Sequence, residues 1–503
     1  MATLKDFRDE RIRKLHELEA LGINPYPATV KRDKQIFKIH KQFSHLEGQS
    51  LSVAGRIGNI RKFGKIAFIT VADVTGTLQL FLREEHVQPL NQQAGTIGMA
   101  QLPLLDVGDF VSATGEVIKT KTGEISLDVT ELQLITKSLR PLPDAHDGFK
   151  NKEERFRRRY LDIATNKEVR ERFLRRSVFW QATREYLILN GFVEINIPVL
   201  EAVAGGADAS PFVTHMDALD QDFYLRISHE LPLKRLIGAG YERVFDIGPR
   251  FRNEGMDDDH LPEHVAMEWY AAYWNWEDGM SFTQELVRYV ADHVWGKRQF
   301  TLPNGVEIDL GIDGQDFPRV SFVSMIYNHF GIDVFNTRLE EVITVMAKNG
   351  IIAAKTDNLS RCIDKLWKAI RKDINGPAFL VDIPVFLQPL AKKSAKDPRL
   401  TEQFNLLLSG TEACKAYSEL NDPIDQFNRF VEQQKMRDDG DKEAMMMDID
   451  FIEMLEYGMP ATCGYGHSER LFWLLEGVSA REGVPFPQMR HEISEVTKSI
   501  YNL

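Results

Sequence analysis

Two residues near the middle of the sequence, an arginine and a glutamate, have the types and spacing needed to hold a phosphorylated ligand. Arg252 and Glu254 lie two residues apart in the segment Arg250-Phe-Arg-Asn-Glu-Gly-Met. On a strand, both side chains would point to the same face. A guanidinium group can hold two phosphate oxygens at once, and a neighbouring carboxylate can accept a hydrogen bond from a base amino group. Taken alone, the segment is also typical of a surface hairpin with a solvated ion pair, so its partners in the chain decide between the two interpretations.

A second set of candidate residues lies about 160 to 220 positions further along the chain. Arg470 follows the glycine-rich segment Gly464-Tyr-Gly-His-Ser-Glu, which reads as a strand entering a helix. Glu412 and Glu419 lie on adjoining extended segments. Their hard oxygen ligands would suit a magnesium ion that bridges nucleotide phosphates. Two acidic residues seven positions apart are weak evidence on their own.

Hydrophobic alternation indicates the elements that carry these residues. Phe245 and Ile247 alternate with polar neighbours before the segment of Arg252 and Glu254, and Val265, Met267 and Trp269 alternate after it. Gly255 and the run Asp257–Asp259 break the pattern between them, which predicts two strands joined by a loop. Glu230 lies where the strand around Tyr224 runs into a helix. We predict further helices at 169–190, 281–295 and over most of 320–375.

Length and composition limit the possible fold classes and the cellular compartment. A chain of 503 residues predicts two or three domains, and 43% hydrophobic with 27% charged residues is typical of a soluble globular protein. No apolar run is long enough to span a membrane, and the charged N-terminus does not resemble a signal peptide. Three widely spaced cysteines favour reduced thiols and a cytoplasmic location. A net charge of −12 argues against nucleic-acid binding by the whole surface.

The first 143 residues have a different pattern from the rest. Residues 4–21 predict a basic amphipathic helix that ends before Gly22, Pro25 and Pro27. This helix would either contact RNA or pack on its own core, and the sequence leaves both open. Five short strands with turns between them follow at 51–55, 66–71, 78–82, 110–117 and 125–134, which predicts a five-stranded barrel. Phe68, close in sequence to Arg61, Lys62 and Lys65, is suited to stacking on a single-stranded nucleic acid. Leu139-Arg-Pro-Leu-Pro-Asp144 is the predicted linker.

Taken together, these segments resemble the lysyl-tRNA synthetase family of class II aminoacyl-tRNA synthetases, in its bacterial form. Residues 250–268 resemble motif 2 of that class, the helix and strand ending at Pro198 resemble motif 1, and residues 464–470 resemble motif 3. The resemblance implies an α+β fold: a five-stranded OB-fold β-barrel and a class II catalytic domain with an antiparallel sheet flanked by helices. The implied domains are a helical extension (1–45), an anticodon-binding barrel (46–143) and the catalytic domain (144–503) with a helical insertion at about 320–375.

The resemblance also implies roles for individual residues. Arg252 and Arg470 would be the catalytic residues. The remaining implied ATP-binding residues are Glu254, His260, His264 and Glu412. The implied lysine-binding residues are Gly206, Glu230, Glu268, Tyr270, Tyr417 and Glu419. Magnesium would be held by Glu412 and Glu419. The implied anticodon-binding residues are Arg61, Phe68, Gln79 and Glu131.

The implied reaction is the ATP-dependent attachment of lysine to tRNA(Lys) through a lysyl-adenylate, by a homodimer that does not associate with membranes. A buried ammonium needs carboxylate partners to offset its desolvation, which Glu230 and Glu268 would supply. The same pair would repel aspartate and leave asparagine without a charge complement.

Several residues depart from the family pattern and keep alternatives open. His264 replaces an aromatic residue, Asn405 replaces a metal-ligand glutamate, and Lys415 replaces an asparagine near the amino-acid pocket. Motif 3 reads one residue short, with Glu469 in place of aspartate. We expect an active, divergent enzyme. The alternatives are a non-catalytic tRNA-binding or regulatory paralogue and a relative that transfers lysine to a protein.

Overall fold

The computed structural model describes residues 3–143, 149, 151–354, 357–441 and 443–503. These residues form two compact units, one of residues 1–165 with 489–503 and the other of residues 166–488. The predicted linker ends at Asp144, outside the described residues, so the boundary after residue 143 stays a prediction. No helix in the described ranges has both the length and the apolar character that crossing a membrane requires.

The first unit contains a closed barrel with short helices around it. Its helices in the N-terminal part are α1 (Leu4–Ala20), α2 (Ile36–Lys41), α3 (Phe43–Leu46), α4 (Lys152–Arg157) and α5 (Arg159–Thr165). Its strands are β1 (Ser50–Phe63), β2 (Ile66–Asp73), β3 (Gly76–Arg83), β4 (Phe110–Lys119) and β5 (Ile125–Thr136). The strands close in the order β1-β2-β3-β5-β4, so the predicted five-stranded barrel is confirmed.

Helix α1 packs on the barrel. Leu18 is fully buried in the barrel's hydrophobic core. Arg11 is also buried, and its guanidinium donates to the Val107 carbonyl at 2.9 Å and to the Ser138 hydroxyl at 2.6 Å. Of the two interpretations of α1, contact with RNA or packing on the protein's own core, the structure therefore favours packing on the core of the barrel.

The second unit is built on one large sheet. Its helices are α6 (Lys167–Leu189), α7 (Glu230–Gly238), α8 (Trp276–Trp295), α9 (Phe322–Phe330), α10 (Leu339–Lys348), α11 (Leu359–Ile370), α12 (Pro423–Asp438), α13 (Ile449–Tyr457), α14 (Arg470–Glu476) and α15 (Ala480–Gly483). Its strands are β6 (Val193–Glu194), β7 (Leu200–Glu201), β8 (Val213–Met216), β9 (Gln221–Leu225), β10 (Arg243–Phe251), β11 (Glu263–Ala272), β12 (Gln299–Thr301), β13 (Glu307–Asp309), β14 (Arg319–Ser321), β15 (Ala378–Val381), β16 (Gln403–Leu408), β17 (Thr411–Ser418) and β18 (Thr462–Ser468). A final helix, α16 (Glu495–Tyr501), belongs to the first unit.

The large sheet has the strand order β14-β15-β16-β17-β18-β11-β10-β6. Its central pairs are antiparallel, as predicted, whereas β14 with β15 and β10 with β6 are parallel pairs at the two edges. Strand β18 pairs with both neighbours without a register shift, so the altered motif 3 forms a regular strand.

The two faces of this sheet have different roles because side chains alternate along each strand. On β11, Met267 and Trp269 lie in a large core packed against α6 and α8, where Trp269 stacks on Tyr465 with ring centroids 5.3 Å apart. Glu268 and Tyr270 point to the opposite face. That second face is covered in part by α7, α12 and α13, and it carries the candidate site.

Candidate active site

The hairpin that carries the first candidate arginine forms as predicted, but its loop begins earlier. Strand β10 ends at Phe251, so Arg252 and Glu254 lie in the loop and not side by side on a strand. The Arg252 amide donates to the Pro262 carbonyl at 2.8 Å, which closes the loop, and the Glu254 amide donates to the Arg252 carbonyl at 2.8 Å. Both side chains nevertheless line the same cavity.

The cavity has a volume of about 540 Å³ and lies over the second face of the sheet. Its lining includes three glutamates, Glu230, Glu268 and Glu419, which we call the carboxylate floor. It also includes three arginines, Arg252, Arg371 and Arg470, which we call the arginine wall. One cavity thus contains both a cluster of carboxylates and a cluster of guanidinium groups.

An internal lysine occupies part of the carboxylate floor. Glu230 begins α7, and Lys234 follows one turn later on the same helix. The Lys234 ammonium, fully buried, donates to Glu230 at 2.6 Å and also forms an ion pair with Glu419. Burial alone would lower the pKa of Lys234, but the two carboxylates raise it above its ordinary value. The floor is therefore held together by a permanent internal cation.

Glu268 is the floor carboxylate without a lysine partner. It accepts hydrogen bonds from the Ser228 hydroxyl at 2.8 Å and the Tyr270 hydroxyl at 3.1 Å. Arg250 Nη1 lies 3.6 Å from its Oε1. Burial raises the pKa of Glu268, against the opposing effect of Arg250. Counting Lys234 and Arg250 against the three floor carboxylates leaves one negative charge unmatched.

Glycines make room for the floor. A Cβ atom on Gly464 would lie 2.0 Å from Glu419 Oε1 and 2.4 Å from the Tyr270 ring. A Cβ on Gly206, whose φ is +84°, would lie 2.9 Å from Glu230 Cβ. Tyr417 completes the floor, because its hydroxyl lies 2.7 and 2.8 Å from the two oxygens of Glu230. The structure thus brings together all six residues for which the sequence predicted an amino-acid pocket.

Each arginine of the wall keeps one buried donor that the described part of the protein does not use. The Nε atoms of Arg252, Arg371 and Arg470 are all buried without a hydrogen-bond partner among the described residues. Burial lowers the pKa of Arg252, and burial followed by the repulsion of Arg252 and Arg371 lowers that of Arg470. Buried cations with unused donors need an anionic partner. A polyphosphate would supply several anionic oxygens in this space.

Glu412 lies among donors that leave it little capacity for a metal ion. Its Oε1 accepts from Trp367 Nε1 at 2.7 Å and from Arg371 Nη1 at 3.1 Å. Its Oε2 accepts from the Asn405 amide nitrogen at 2.9 Å. Although burial opposes it, Arg371 and Trp367 hold the pKa of Glu412 below its ordinary value. Since each carboxylate oxygen accepts about two hydrogen bonds, roughly one acceptor position remains for a cation.

Glu412 and Glu419, for which a shared magnesium ion was predicted, both line the cavity. A bulge in β17 places Ala413 and Cys414 both in the core, so Glu412 and Glu419 face the same side. Glu419 is already paired with Lys234, and the shared site stays a prediction. In the described part of the chain, no group of three His, Cys, Asp or Glu residues could hold a metal ion. The residues fit a magnesium ion held chiefly by nucleotide phosphates, with at most one Glu412 oxygen.

The two histidines predicted to bind ATP, of which His264 was expected on the adenine side, lie outside the cavity lining. His260 lies exposed in the hairpin loop and bonds to Asp257 at 2.8 Å. His264, on β11, accepts from Arg250 Nε at 2.8 Å, and its Nδ1 lies 3.1 Å from the Leu261 carbonyl oxygen. Burial, then Arg250, lowers the pKa of His264 well below its ordinary value. Among the described residues that line the cavity, neither histidine is found.

The barrel carries three of its four predicted contact residues on adjacent strands. Arg61 on β1 pairs with Phe68 on β2, which pairs in turn with Phe81 on β3. The Phe68 and Phe81 rings stack with centroids 5.0 Å apart and planes 9° apart. Gln79 lies two residues before Phe81 and donates to Ser126 at 2.9 Å. The fourth residue lies on β5: Glu131 forms an ion pair with Lys31 at 3.1 Å.

Sequence reasoning missed several residues that the structure places in these two sites. Lys234 could have been found, because it lies four residues after Glu230 on a predicted helix. Phe81 could have been found from the alternation of β3, in which Leu80 and Leu82 point inward. Arg371 has no local signal, because only the packing of α11 against the sheet brings it to Glu412.

Comparison with known proteins places this architecture in a family. Residues 151–490 match the family described as tRNA synthetases class II (D, K and N), and residues 51–135 match the OB-fold nucleic acid binding domain. The chain is 41% identical over 496 residues to the lysine–tRNA ligase of Fervidobacterium nodosum, covering 97% of this chain and 95% of that protein. It is 39% identical to the lysine–tRNA ligase of Thermotoga maritima, covering 96% of both chains, and 39% identical to that of Enterococcus faecalis, covering 97% and 99%. This chain therefore belongs to the class II tRNA synthetases, and within them to the lysine–tRNA ligase family.

Proposed function

We propose that this protein joins lysine to ATP to form lysyl-adenylate and then transfers the lysyl group to tRNA(Lys). The observation that carries the proposal is the unmatched negative charge of the carboxylate floor. A lysine side chain would bring one ammonium to Glu268 and the Glu230–Tyr417 pair. Aspartate would be repelled there, and asparagine would leave the charge unmatched.

The proposed chemistry depends on positioning and charge neutralisation. A lysine carboxylate oxygen attacks the α-phosphorus of ATP, an O–P bond forms, and pyrophosphate leaves with the electron pair of the broken bond. Arg252 and Arg470 stabilise the charge that develops on the phosphate oxygens. The terminal 3′ hydroxyl of tRNA then attacks the lysyl carbonyl, and AMP leaves. No protein nucleophile is required.

Magnesium is the cation we propose to accompany ATP, since hard oxygen ligands and phosphates suit it. When bound, it withdraws charge from the phosphate oxygens and favours departure of pyrophosphate. Of this chain's carboxylates, Glu412 is the candidate ligand, because it pairs with Arg371 of the wall and keeps roughly one acceptor position. Glu254 remains the candidate for the adenine side, because it lines the cavity and its Oε1 accepts from the Ser210 amide at 3.4 Å.

The barrel supports tRNA as the acceptor. We assign Arg61, Phe68, Gln79 and Glu131 to anticodon recognition, with Phe81 extending the stacking surface beneath Phe68. Base stacking on an aromatic side chain contributes about 1–3 kcal/mol. A charged groove beside stacked rings is the arrangement that binds single-stranded loops.

We also propose a cytoplasmic homodimer. Helix α6 exposes a series of apolar side chains that a monomer would leave in water, and exposed apolar patches mark interaction surfaces. These are Leu174, Val178, Ile188 and Leu189, followed by Val193 on β6. Light scattering of the purified protein should give about twice the 57.6 kDa chain mass.

The alternatives are less well supported. A relative that transfers lysine to a protein would generally lack the barrel, whereas this chain has a complete one. A non-catalytic paralogue would not need a wall of three arginines with unused donors in the same cavity as the carboxylate floor.

Attachment of labelled lysine to a tRNA with a UUU anticodon tests the whole proposal. We expect lysyl-tRNA to form with release of one AMP per lysine attached, and no attachment to a tRNA(Asn) control. Binding of both tRNAs without AMP release would instead support the non-catalytic paralogue.

A further inference from the structure

Lys415 is a cation of the cavity that the reaction as described above does not use. It lies on β17, and the bulge at Ala413 turns it toward the cavity. Its ammonium lies 5.6 Å from the centroid of the Tyr417 ring. Among the described residues it forms no ion pair and no side-chain hydrogen bond, and it is exposed to the cavity space. A lysine in this state has all three of its N–H donors available to a ligand.

The sheet register places Lys415 in one row with Glu268 and, on the same face of the sheet, next to the row of Glu412. Across the strands, Asn405, Lys415, Gly466 and Glu268 form one row. The next row toward the floor contains Tyr417 and Gly464, and Glu412 with Arg371 lies on the other side. Gly466 has no side chain to block the space between Lys415 and Glu268. Lys415 therefore lies where the amino-acid carboxylate and the α-phosphate would meet.

The surroundings of Lys415 leave little capacity for protein-held metal ions. Asn405, its cross-strand neighbour, turns its NH₂ group toward Glu412, while its oxygen accepts from Gln403 at 3.0 Å. Three donors already surround Glu412, as described above. Hydrogen-bond donors and a divalent cation compete for the same carboxylate lone pairs. The cavity thus contains an unpaired ammonium next to a carboxylate that is largely taken up by donors.

We propose that Lys415 acts as a catalytic cation on the α-phosphate and takes the place of a second divalent ion, so that the site binds ATP with a single magnesium ion. The inference rests on the proposed function, because it assigns the cavity to ATP. The ammonium donates to an α-phosphate oxygen and neutralises charge that grows as the carboxylate attacks. It carries one positive charge that is part of the chain and independent of free metal concentration.

Counting bound metal ions tests the proposal directly. Free Mn²⁺ is measured by electron paramagnetic resonance in the presence of the intact protein, lysine and saturating α,β-methylene-ATP. We expect one Mn²⁺ per active site. Two or more ions per site would overturn the proposal.

Nucleotide binding without metal provides the second measurement. Calorimetry with ATP in excess EDTA should show measurable affinity in the unsubstituted protein and about tenfold to a hundredfold weaker affinity in Lys415→Met, the range expected for loss of a charged hydrogen bond. Met keeps the hydrocarbon contact with Tyr417 and removes the charge. Lys396→Met, which removes the same charge from an exposed position outside the cavity, is the matched control and should bind ATP normally.

Pyrophosphate-exchange kinetics distinguish a failure of this inference from a failure of the proposed function. In lysine-dependent pyrophosphate exchange at saturating ATP and Mg²⁺, kcat should fall at least tenfold in Lys415→Met, with a smaller change in the KM for lysine. An unchanged kcat with a raised KM for lysine would mean that Lys415 binds the lysine carboxylate, and would overturn the catalytic role. If no amino acid supports exchange, the proposed function fails and with it the catalytic role, whereas the Mn²⁺ and ATP binding measurements still decide whether Lys415 binds the nucleotide and whether one metal ion is bound.

Discussion

Replacing Glu268 by glutamine tests how the carboxylate floor selects its ligand. Gln keeps the shape of the side chain and can still bond to Ser228 and Tyr270, but it removes one negative charge. The floor then has two carboxylates, Glu230 and Glu419, against the cations Lys234 and Arg250. The unmatched negative charge disappears, so a cationic ligand finds no partner for its own charge.

The size of the effect follows from burial. Glu268 is 5% exposed. A hydrogen bond to a charged group contributes about 1.5–3 kcal/mol, and a buried charge left without its partner costs about 3–5 kcal/mol. A loss of about 3 kcal/mol in lysine binding corresponds to a dissociation constant roughly 150-fold higher. ATP affinity should change less than threefold, because the arginine wall is untouched.

Calorimetry of lysine and ATP binding, with pyrophosphate exchange beside it, measures both quantities. Glu242→Gln is the matched control, because this exposed residue lies just before β10 and outside the cavity. Thermal unfolding checks that the Glu268→Gln variant is folded. Lysine affinity within threefold of the unsubstituted protein, in a folded variant, would refute the charge argument.

Three further substitutions test separate parts of the site. Arg252→Ala should lower the rate of pyrophosphate exchange by at least about a thousandfold. It should leave the melting temperature unchanged or higher, because it removes a buried cation whose Nε has no partner. An unchanged exchange rate would show that Arg252 takes no part in the mechanism. Gly464→Ala should lower the free energy of unfolding by about 1–3 kcal/mol in chemical denaturation, because its Cβ would lie 2.0 Å from Glu419 Oε1. An unchanged free energy of unfolding would show that the carboxylate floor can accommodate the extra methyl group. Burial raises the pKa of Glu201 to about 8 from an ordinary value of 4.5. The folded state then binds the Glu201 proton more tightly than the unfolded state does. The contribution of this proton to the free energy of unfolding is therefore complete below about pH 4.5 and is lost as the pH rises toward 8. Glu201→Gln should come within about 1 kcal/mol of the unsubstituted protein at pH 5 and exceed it at pH 8 by on the order of 4 kcal/mol. Parallel pH profiles of the two proteins would contradict this.

Patterns within single elements could be predicted from the sequence. The β10–β11 hairpin follows from strict alternation around a polar loop, and the barrel follows from five short strands with turn residues between them. Glu230 at the start of α7 and Arg470 at the start of α14 follow from strand-to-helix transitions. In each case local periodicity and tertiary packing favour the same conformation.

Contacts between distant segments could not be predicted. Lys234 meets Glu419 across 185 positions, and Arg371 meets Glu412 only because α11 packs beside β17. Nothing in the local sequence of either segment specifies its partner. The loop position of Arg252 was also missed, because alternation extends beyond the last paired residue.

The face of β17 was the most difficult feature to predict. Glu412 and Lys415 are three positions apart, which on a regular strand would put them on opposite faces. The bulge at Ala413 adds one residue and brings both to the cavity. A single inserted residue therefore decides whether Lys415 faces the ligand or the core, and no composition signal marks it.

Lysine-dependent exchange of labelled pyrophosphate into ATP, without tRNA, tests the central claim most directly. The measurement compares lysine with ornithine, arginine, aspartate and asparagine under identical conditions. The account predicts strong exchange with lysine and none with aspartate or asparagine, because the floor has one negative charge to match. Exchange that is strongest with aspartate or asparagine would contradict the assignment of the carboxylate floor, and exchange with none of the five would contradict the proposal that this protein activates an amino acid.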